Sequence, residues 1–338
     1  MSKTNNNQMG YKKLSKLFLF GILIFAQVKT FSQSDLASKI DSINAMSEIT
    51  AKPYNDVIKF TNNEMIIEAL YSLMIEKESI NYSFDSLKSI SCITPPDKSF
   101  RLFTWSFSKE DGYYENSGLI QCYDKRRKRF FIVQLKDISS QMSGAEFLKL
   151  EGEQWYGATY YKMIDFELNK KPYYILLGWN GNSPFTQKKI IEILSFKNNG
   201  MPIWGATLLK KHEKGKIYRL IFEYSKKTSM LLRYDKQAYT VRTNKRDPRT
   251  KKPILKSIKS NMIIFDRLAP LNEYMKGVYE YYVPQSDIFD AFVLNDGRWY
   301  FFADVDARNP DRRIPKSLRK QLENQPRRNR EFYNPKNQ

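Results

Sequence analysis

The residue types that carry out most metal and nucleophilic chemistry are scarce in this sequence. Its 338 residues include one histidine, His212, and two cysteines, Cys92 and Cys122. A single histidine excludes H-E-x-x-H and three-histidine zinc sites, and two cysteines exclude four-cysteine zinc and iron–sulfur sites. His212 lies in a lysine-flanked segment typical of a hairpin turn, where an imidazole is most often solvated. The sequence therefore predicts no catalytic residue and no cofactor.

The sequence also lacks G-x-x-x-x-G-K-[ST] and G-x-G-x-x-G, the glycine-rich loops that bind nucleotide phosphates. It contains 36 acidic residues, so pairs such as Glu151 and Glu153 are expected by chance. A glycosidase needs two carboxyls at a set separation in space, which a sequence does not supply. A carboxylate-dependent hydrolase therefore stays open as a function class.

Asp304 and Asp306 form a D-x-D segment after the last predicted strand and are weak candidates for metal binding. The segment resembles the start of a calcium loop, but Arg308 occupies the next ligand position and no glycine follows at the sixth. A turn with Asx-type hydrogen bonds is the favoured alternative. We therefore predict no metal site, and Asp304 and Asp306 stay weak candidates only.

Trp179, Asn180 and Asn182 form a second polar segment, between two predicted strands. The Asn-Gly pair within it favours a tight turn, which is the structural interpretation. The same turn could present an indole ring and two amides to a sugar. These three residues are therefore a candidate ligand turn.

Residues 1–33 have the layout of a secretory signal peptide. Four lysines and no acid precede an apolar run from Leu17 to Ala26, and a polar segment follows it. The run is shorter than the roughly 20 residues that span a bilayer. We expect cleavage near Gln33, no transmembrane span in the mature chain, and a soluble or peripheral protein of the periplasm or cell envelope.

Export changes the interpretation of Cys92 and Cys122, because two cysteines in an oxidising compartment can form a disulfide. The alternative is a pair of buried free thiols. The choice depends on the distance between the two Cα atoms, which the sequence does not give. Both states stay open at this point.

The pattern of apolar residues predicts a mainly β protein, α+β overall. Residues 34–95 are predicted to be helical, with a second helix that begins at Thr61 and has Glu64 in a capping box. Residues 96–306 contain short aromatic and β-branched runs separated by turn signals, which favour an antiparallel meander. A sandwich, a barrel and an irregular propeller all stay open. The last hairpin, around Asn295-Asp296-Gly297-Arg298, is predicted to have a type I′ turn.

The formal net charge of +20 is unevenly distributed along the chain. Residues 242–260, a predicted basic loop, contain eight basic residues and one acid. Residues 307–338, a predicted disordered tail, contain ten basic residues and three acids. Residues 1–33 contribute five lysines, so the rest of the chain has a net charge of only +1. The excess charge therefore belongs to the appendages of a nearly neutral body.

The basic loop and tail could anchor the protein to a polyanion. The alternative is a loop and tail that are merely solvated, and this alternative is favoured because a charge pattern alone is weak evidence of binding. The partner would be an envelope protein, an anionic envelope polymer or a membrane surface. Nucleic acid is the least favoured partner, because no nucleic-acid-binding motif is present. The candidate polyanion contacts are Arg246, Arg249, Lys251, Lys252, Arg312, Arg313, Arg327 and Arg328.

Five motifs occur together in the predicted strand region: Glu153–Ala158, Tyr173–Asn182, Ile221–Asp235, Ile263–Pro270 and Trp299–Asn309. As a set, over about residues 150–309, they resemble an uncharacterised family of exported proteins from Bacteroidetes-type bacteria. The resemblance implies export and a β-rich body, and it supplies no activity, substrate or catalytic residue. Asn180 stands where an aspartate is expected in such relatives, which weakens a metal site at that turn.

Two function classes follow from these observations. The first is a noncatalytic envelope protein that binds or scaffolds a partner, with the basic loop and tail as electrostatic anchors. The second is an envelope hydrolase that uses carboxylates, acting on a glycan. A cleft lined by two carboxyls with raised pKa and by aromatic rings would favour the hydrolase.

Overall fold

The computed structural model describes residues 35–76, 79–211 and 216–305. Two helices near the N-terminus are followed by sixteen strands, nearly all in antiparallel pairs, which confirms the predicted fold class. The strands form three sheets, and shared hydrophobic clusters join the helices to the first sheet, the first sheet to the second, and the second to the third. The meander is therefore a stack of sheets covered on one side by helices.

The two helices are α1, residues 35–51, and α2, Asp56–Met74. Helix α2 begins five residues before the predicted Thr61, because the Asn55 side chain accepts a hydrogen bond from the Ile58 N–H and caps it. Its buried face includes Ile66, Leu70 and Leu73, which pack with residues of the first sheet. In the described part of the chain, no helix is long and apolar enough to cross a membrane.

The first sheet has the strand order β1-β2-β3-β4-β6. Its strands are β1 Ser91–Ile93, β2 Phe100–Ser108, β3 Tyr114–Asp124, β4 Arg129–Asp137 and β6 Gln154–Trp155. Alternate residues of β2 lie on opposite faces, as strand geometry requires. Phe103 and Trp105 pack against the helices, whereas Phe100 and Leu102 pack against the second sheet. Strand β1 lies inside the segment predicted to be helical.

The second sheet has the order β5-β10-β9-β8-β7, and β12 also pairs with β9. Its strands are β5 Leu150–Glu151, β7 Thr159–Leu168, β8 Lys171–Asn180, β9 Thr186–Phe196, β10 Pro202–Trp204 and β12 Leu220–Ser225. The core between the first and second sheets contains the large buried rings of Trp155, Tyr160 and Trp204. Both faces of β8 and β9 are covered, which explains their nearly continuous apolar sequence.

The third sheet has the order β11-β16-β15-β14-β13. Its strands are β11 Leu209–Lys210, β13 Leu232–Arg246, β14 Pro253–Pro270, β15 Tyr282–Asn295 and β16 Arg298–Val305. Asp296 and Gly297 have φ values of 48° and 69°, as a type I′ turn requires, so the predicted final hairpin is confirmed. Ile263, Phe265 and Trp299 pack against the second sheet.

The prediction of a loop over residues 242–260 is wrong. These residues form the outer part of the β13–β14 hairpin, which extends to Arg246 and resumes at Pro253. The sequence conceals the strands because their residues face solvent on both sides and show no alternation of apolar and polar types. The predicted signal peptide, His212, Asp306 and the predicted tail with its four candidate arginines lie outside the described residues.

Cys92 and Cys122 are free thiols, and the structure does not join them in a disulfide. They lie on β1 and β3, which flank β2, and neighbouring strands are about 4.8 Å apart. Cys122 belongs to the cluster facing the second sheet and Cys92 to the cluster facing the helices, so the side chains point to opposite faces. Burial raises the pKa of Cys92 to about 11 and raises the pKa of Cys122 still further.

Candidate functional site

The predicted ligand turn at Trp179, Asn180 and Asn182 is a closed hydrogen-bonded cluster. Asn180 donates to the Gly157 carbonyl at 2.6 Å and accepts from the Asn182 N–H at 2.6 Å. The Asn182 amide donates to Thr186 Oγ1 at 2.6 Å and to Glu223 Oε1 at 3.1 Å. Since the side-chain amides of Asn180 and Asn182 are both hydrogen-bonded within the protein, they stabilise the end of β8.

Aromatic packing holds the same turn from outside. The Trp179 indole N–H donates to Gln187 Oε1 at 2.9 Å, and the Tyr114 ring meets the indole edge-on at 5.4 Å. Lys226 Nζ lies 4.2 Å from the Tyr114 ring centroid and donates to the Gly181 carbonyl at 2.8 Å. Gly181 lies so close to Tyr114 that a Cβ would be 2.2 Å from the ring. The turn thus presents no open platform of the kind a stacked sugar needs.

Glu115 and Asp137 are two described carboxyls whose charges interact. Burial raises the pKa of Glu115, and the negative charge of Asp137 raises it further. Asp137 accepts hydrogen bonds from Asn116 Nδ2 at 2.8 Å and from the Gly157 N–H at 2.9 Å. Asn116 Oδ1 is buried and has no hydrogen-bond partner among the described residues. Sequence reasoning missed this group, because its members come from three separate strands or loops.

Two of the carboxyls that the sequence singled out, Glu151 and Asp304, are engaged in ion pairs. Glu151 pairs with Lys149 at 2.7 Å and with Lys197, and these hydrogen bonds lower its pKa to about 2. Asp304 lies 2.9 Å from the Arg267 guanidinium, which also binds Asp290 through two hydrogen bonds. No group of three or more histidine, cysteine, aspartate or glutamate side chains arranged to hold a metal occurs among the described residues.

Glu192 and Arg219 form a buried ion pair in the second sheet, and both side chains are fully buried. Arg219 Nε donates to Glu192 Oε2 at 2.7 Å. Its terminal nitrogens donate to the carbonyls of Ala145, Leu148 and Trp204. Because every part of the guanidinium is bonded, this pair has a structural role that ties the segment before β5 to the sheet.

The outer part of the β13–β14 hairpin, residues 236–261, is a two-stranded arm that we call the basic ribbon. Strand β14 pairs with β15 only from Met262 to Pro270, so within the described chain the strands of the ribbon pair only with each other. Their register runs from Lys236 opposite Asn261 to Arg246 opposite Pro253. Near the base of the ribbon, Tyr239 packs against Phe302 of β16 with ring centroids 4.9 Å apart. From there the two strands continue to the tip paired only with each other.

The tip of the basic ribbon is an ordered turn. The Asp247 carboxylate accepts hydrogen bonds from the N–H groups of Arg249 and Thr250, both at 2.9 Å, which lowers its pKa. The Lys251 N–H donates to the Asp247 carbonyl at 2.9 Å. Since its carboxylate binds backbone groups, Asp247 neutralises none of the neighbouring cations through an ion pair in the described structure.

The basic side chains of the ribbon are exposed. None of the ribbon's described basic side chains, a set that excludes Arg242, forms an ion pair with a described acid. The predicted candidates Arg246, Arg249, Lys251 and Lys252 all lie at the tip. The structure adds three exposed lysines from the two strands, namely Lys245, Lys256 and Lys259. Sequence reasoning counted these three in the charge of the segment but did not single them out.

No protein-family model matches the chain, and no curated protein or solved structure matches it significantly.

Proposed function

We propose that this is an exported, noncatalytic protein of the cell envelope that binds an anionic partner through the basic ribbon. The observation that carries the proposal is a two-stranded arm whose described basic side chains form no ion pair with the acids that the structure describes. The cations of the ribbon repel one another, and no ion pair within the described chain offsets this repulsion. A bound polyanion would offset it. The lysines and apolar run of residues 1–33 support export.

A membrane surface or an anionic polymer suits the ribbon better than a small ligand. The cations follow two extended strands at roughly 3.3 Å per residue, so they are spread over a distance much longer than one phosphate group. Each lysine or arginine near an anionic surface contributes about 1 kcal/mol, and the contributions add over the ribbon. The proposal therefore names an extended anionic partner and binding that salt weakens.

The test compares the wild-type protein with a variant that replaces Lys251, Lys252, Lys256 and Lys259 by glutamine. Sedimentation with anionic vesicles, with neutral vesicles and with an isolated envelope fraction measures binding. We expect the wild type to bind the anionic vesicles or the envelope fraction, and the variant to bind at least tenfold more weakly, a difference of about 1.4 kcal/mol. Equal binding by both proteins would refute the role of the ribbon.

A carboxylate-dependent hydrolase is the second candidate, and Glu115 supports it. This half-buried acid has a raised pKa, to which burial and the negative charge of Asp137 contribute. A general acid of a glycosidase has such a raised pKa. Hydrolysis of envelope polysaccharides by the wild type, lost in both Glu115→Gln and Asp137→Asn, would establish this function. If the wild type and both variants were all inactive, hydrolysis of the tested polysaccharides would be excluded.

A further inference from the structure

A lysine-lined cavity lies at one end of the first and second sheets. Its volume is about 700 Å³, within the usual range for small-molecule sites. Three turns supply its basic residues: Lys125 from β3–β4, Lys170 and Lys171 from β7–β8, and Lys197 from β9–β10. These residues are up to 72 positions apart in the sequence, and only the stacking of the sheets brings them together.

The charges of the cavity are largely uncompensated. Asp97 is the one acid among its lining residues, against four lysines. Lys197 pairs with Glu151, but Lys125 and Lys170 are exposed and form no ion pair within the described residues. Two unpaired lysines at one opening attract an anion, and lysine binds phosphate as a point charge.

Aromatic rings and hydroxyl groups line the rest of the cavity. Tyr123 and Phe196 are half-buried, so part of each ring faces solvent. The Tyr174 hydroxyl lies 3.2 Å from the Ser99 hydroxyl, and both residues belong to the lining. A ring-bearing ligand could contact the aromatic faces while its own hydroxyls bond to this pair.

A second, arginine-lined cavity of about 510 Å³ also borders the β3–β4 turn. Arg126, Arg127 and Arg129 line it, and Asp124 accepts the backbone N–H groups of Arg126 and Arg127. Asn199 and Met201 of the β9–β10 turn also line this cavity, whereas Gly200 between them lines the first. The two cavities therefore share turns and form one basic end of the molecule.

We propose that the lysine-lined cavity binds a small phosphorylated molecule. Its phosphoryl group would lie among Lys125, Lys170 and Lys171, and its ring would lie against Tyr123 and Phe196. The site is separate from the basic ribbon, so neither proposal depends on the other. A phosphorylated sugar and a nucleotide share this chemistry, and the experiment separates them.

The experiment is calorimetric titration of the full chain with glucose 6-phosphate, AMP, inorganic phosphate and glucose. We expect a ring-bearing phosphate to bind more tightly than inorganic phosphate, and glucose not to bind. Preference for glucose 6-phosphate would identify a sugar site, and preference for AMP a nucleotide site. No binding of either compound, or binding no tighter than that of inorganic phosphate, would overturn the proposal.

Two matched variants remove the same amount of charge from different places. Lys125→Gln/Lys170→Gln alters the cavity, and Lys256→Gln/Lys259→Gln alters only the ribbon. Because each substitution removes one positive charge from the phosphoryl position, the cavity variant should bind the phosphate roughly tenfold more weakly or worse. The ribbon variant should bind it like the wild type. Equally weakened phosphate binding in both variants would indicate nonspecific electrostatic attraction and would overturn the cavity site. An unchanged thermal midpoint of each variant serves as the control that both remain folded.

Discussion

Arg219 and the lysines of the basic ribbon carry the same charge in opposite surroundings. Arg219 is fully buried, pairs with Glu192, and donates to three carbonyls. The described ribbon cations are exposed and pair with no acid in the described chain. A buried charge requires partners because the interior does not solvate it, whereas an exposed charge needs none. Charges with built partners therefore hold this fold together, and the unpartnered charges are available for binding.

The topology places the unpartnered charges together. In an antiparallel sheet the β13–β14 and β15–β16 turns lie at the same end. Gly297 of the β15–β16 turn lies against Glu167 and Leu168, next to the β7–β8 turn that lines the lysine cavity. The ribbon and the cavity thus lie toward one end of the stacked sheets. A body with a nearly neutral net charge nevertheless has a strongly basic end.

The largest expected effect comes from breaking the buried pair. Glu192→Met should lower the free energy of unfolding by about 3–5 kcal/mol, because Arg219 would remain buried and charged without its partner. Urea denaturation measures it, with Lys256→Gln on the ribbon as the control, expected to stay within about 0.5 kcal/mol of the wild type. If Glu192→Met lowered the free energy of unfolding no more than Lys256→Gln does, the contrast between buried, paired charges and exposed, unpaired charges would be wrong.

A smaller loss is expected at the turn that ends β8. Gly181→Ala would place a Cβ 2.2 Å from the Tyr114 ring, so the ring or the turn must move. Overpacking of this kind costs about 1–3 kcal/mol. Thermal or urea unfolding measures the change. Stability equal to that of the wild type would mean that the Trp179–Asn182 cluster adapts freely and is not a fixed structural element.

The prediction from sequence was most accurate where the determinants are local. Asp296 and Gly297 predict their type I′ turn because two consecutive residues with positive φ suffice to define it. The sequence predicts the second helix but places its beginning at Thr61, because Thr61 and Glu64 have the spacing of a capping box, whereas Asn55 is the cap in the structure. The aromatic run of β2 likewise indicates a strand.

The features that were missed depend on contacts between distant segments. The ribbon strands owe their shape to cross-strand pairing, such as Lys236 with Asn261, and they carry few apolar residues to signal it. The lysines of the cavity come from three separate turns, so a charge count along the chain assigns them to a neutral body. The group around Asp137 is likewise assembled from β3, β4 and the loop before β7. Sequence reasoning lacks the sheet order that joins these segments.

The half-buried acid Glu115 gives a prediction for pH. Its pKa is raised above the ordinary 4.5, so the native state keeps the proton to a higher pH than the unfolded chain does. Stability should therefore decline as the pH rises from about 4.5 through the native pKa. Glu115→Gln should remove that decline, whereas Glu64→Gln at an exposed position of α2 should not. Parallel pH profiles for wild type and Glu115→Gln would contradict the assignment.

The two thiols give the smallest expected effect. Because Cys92 and Cys122 lie on opposite faces of the first sheet, a reducing agent should leave the thermal midpoint unchanged. Thiol titration should detect two free thiols after unfolding without reductant, and slow reaction before it, since burial raises both pKa values. A lower midpoint in reductant would reveal a disulfide and a different packing of β1.

The measurement that tests the central claim most directly is envelope binding as a function of salt, by the wild type and by the variant with glutamine at Lys251, Lys252, Lys256 and Lys259. The Debye length falls from about 10 Å at 0.1 M to about 3 Å at 1 M salt. The wild type should bind at the lower salt concentration and be released at the higher, and the variant should bind weakly at both. Salt-insensitive binding, or equal binding by the folded variant, would contradict the assignment of the basic ribbon as the anionic-partner interface.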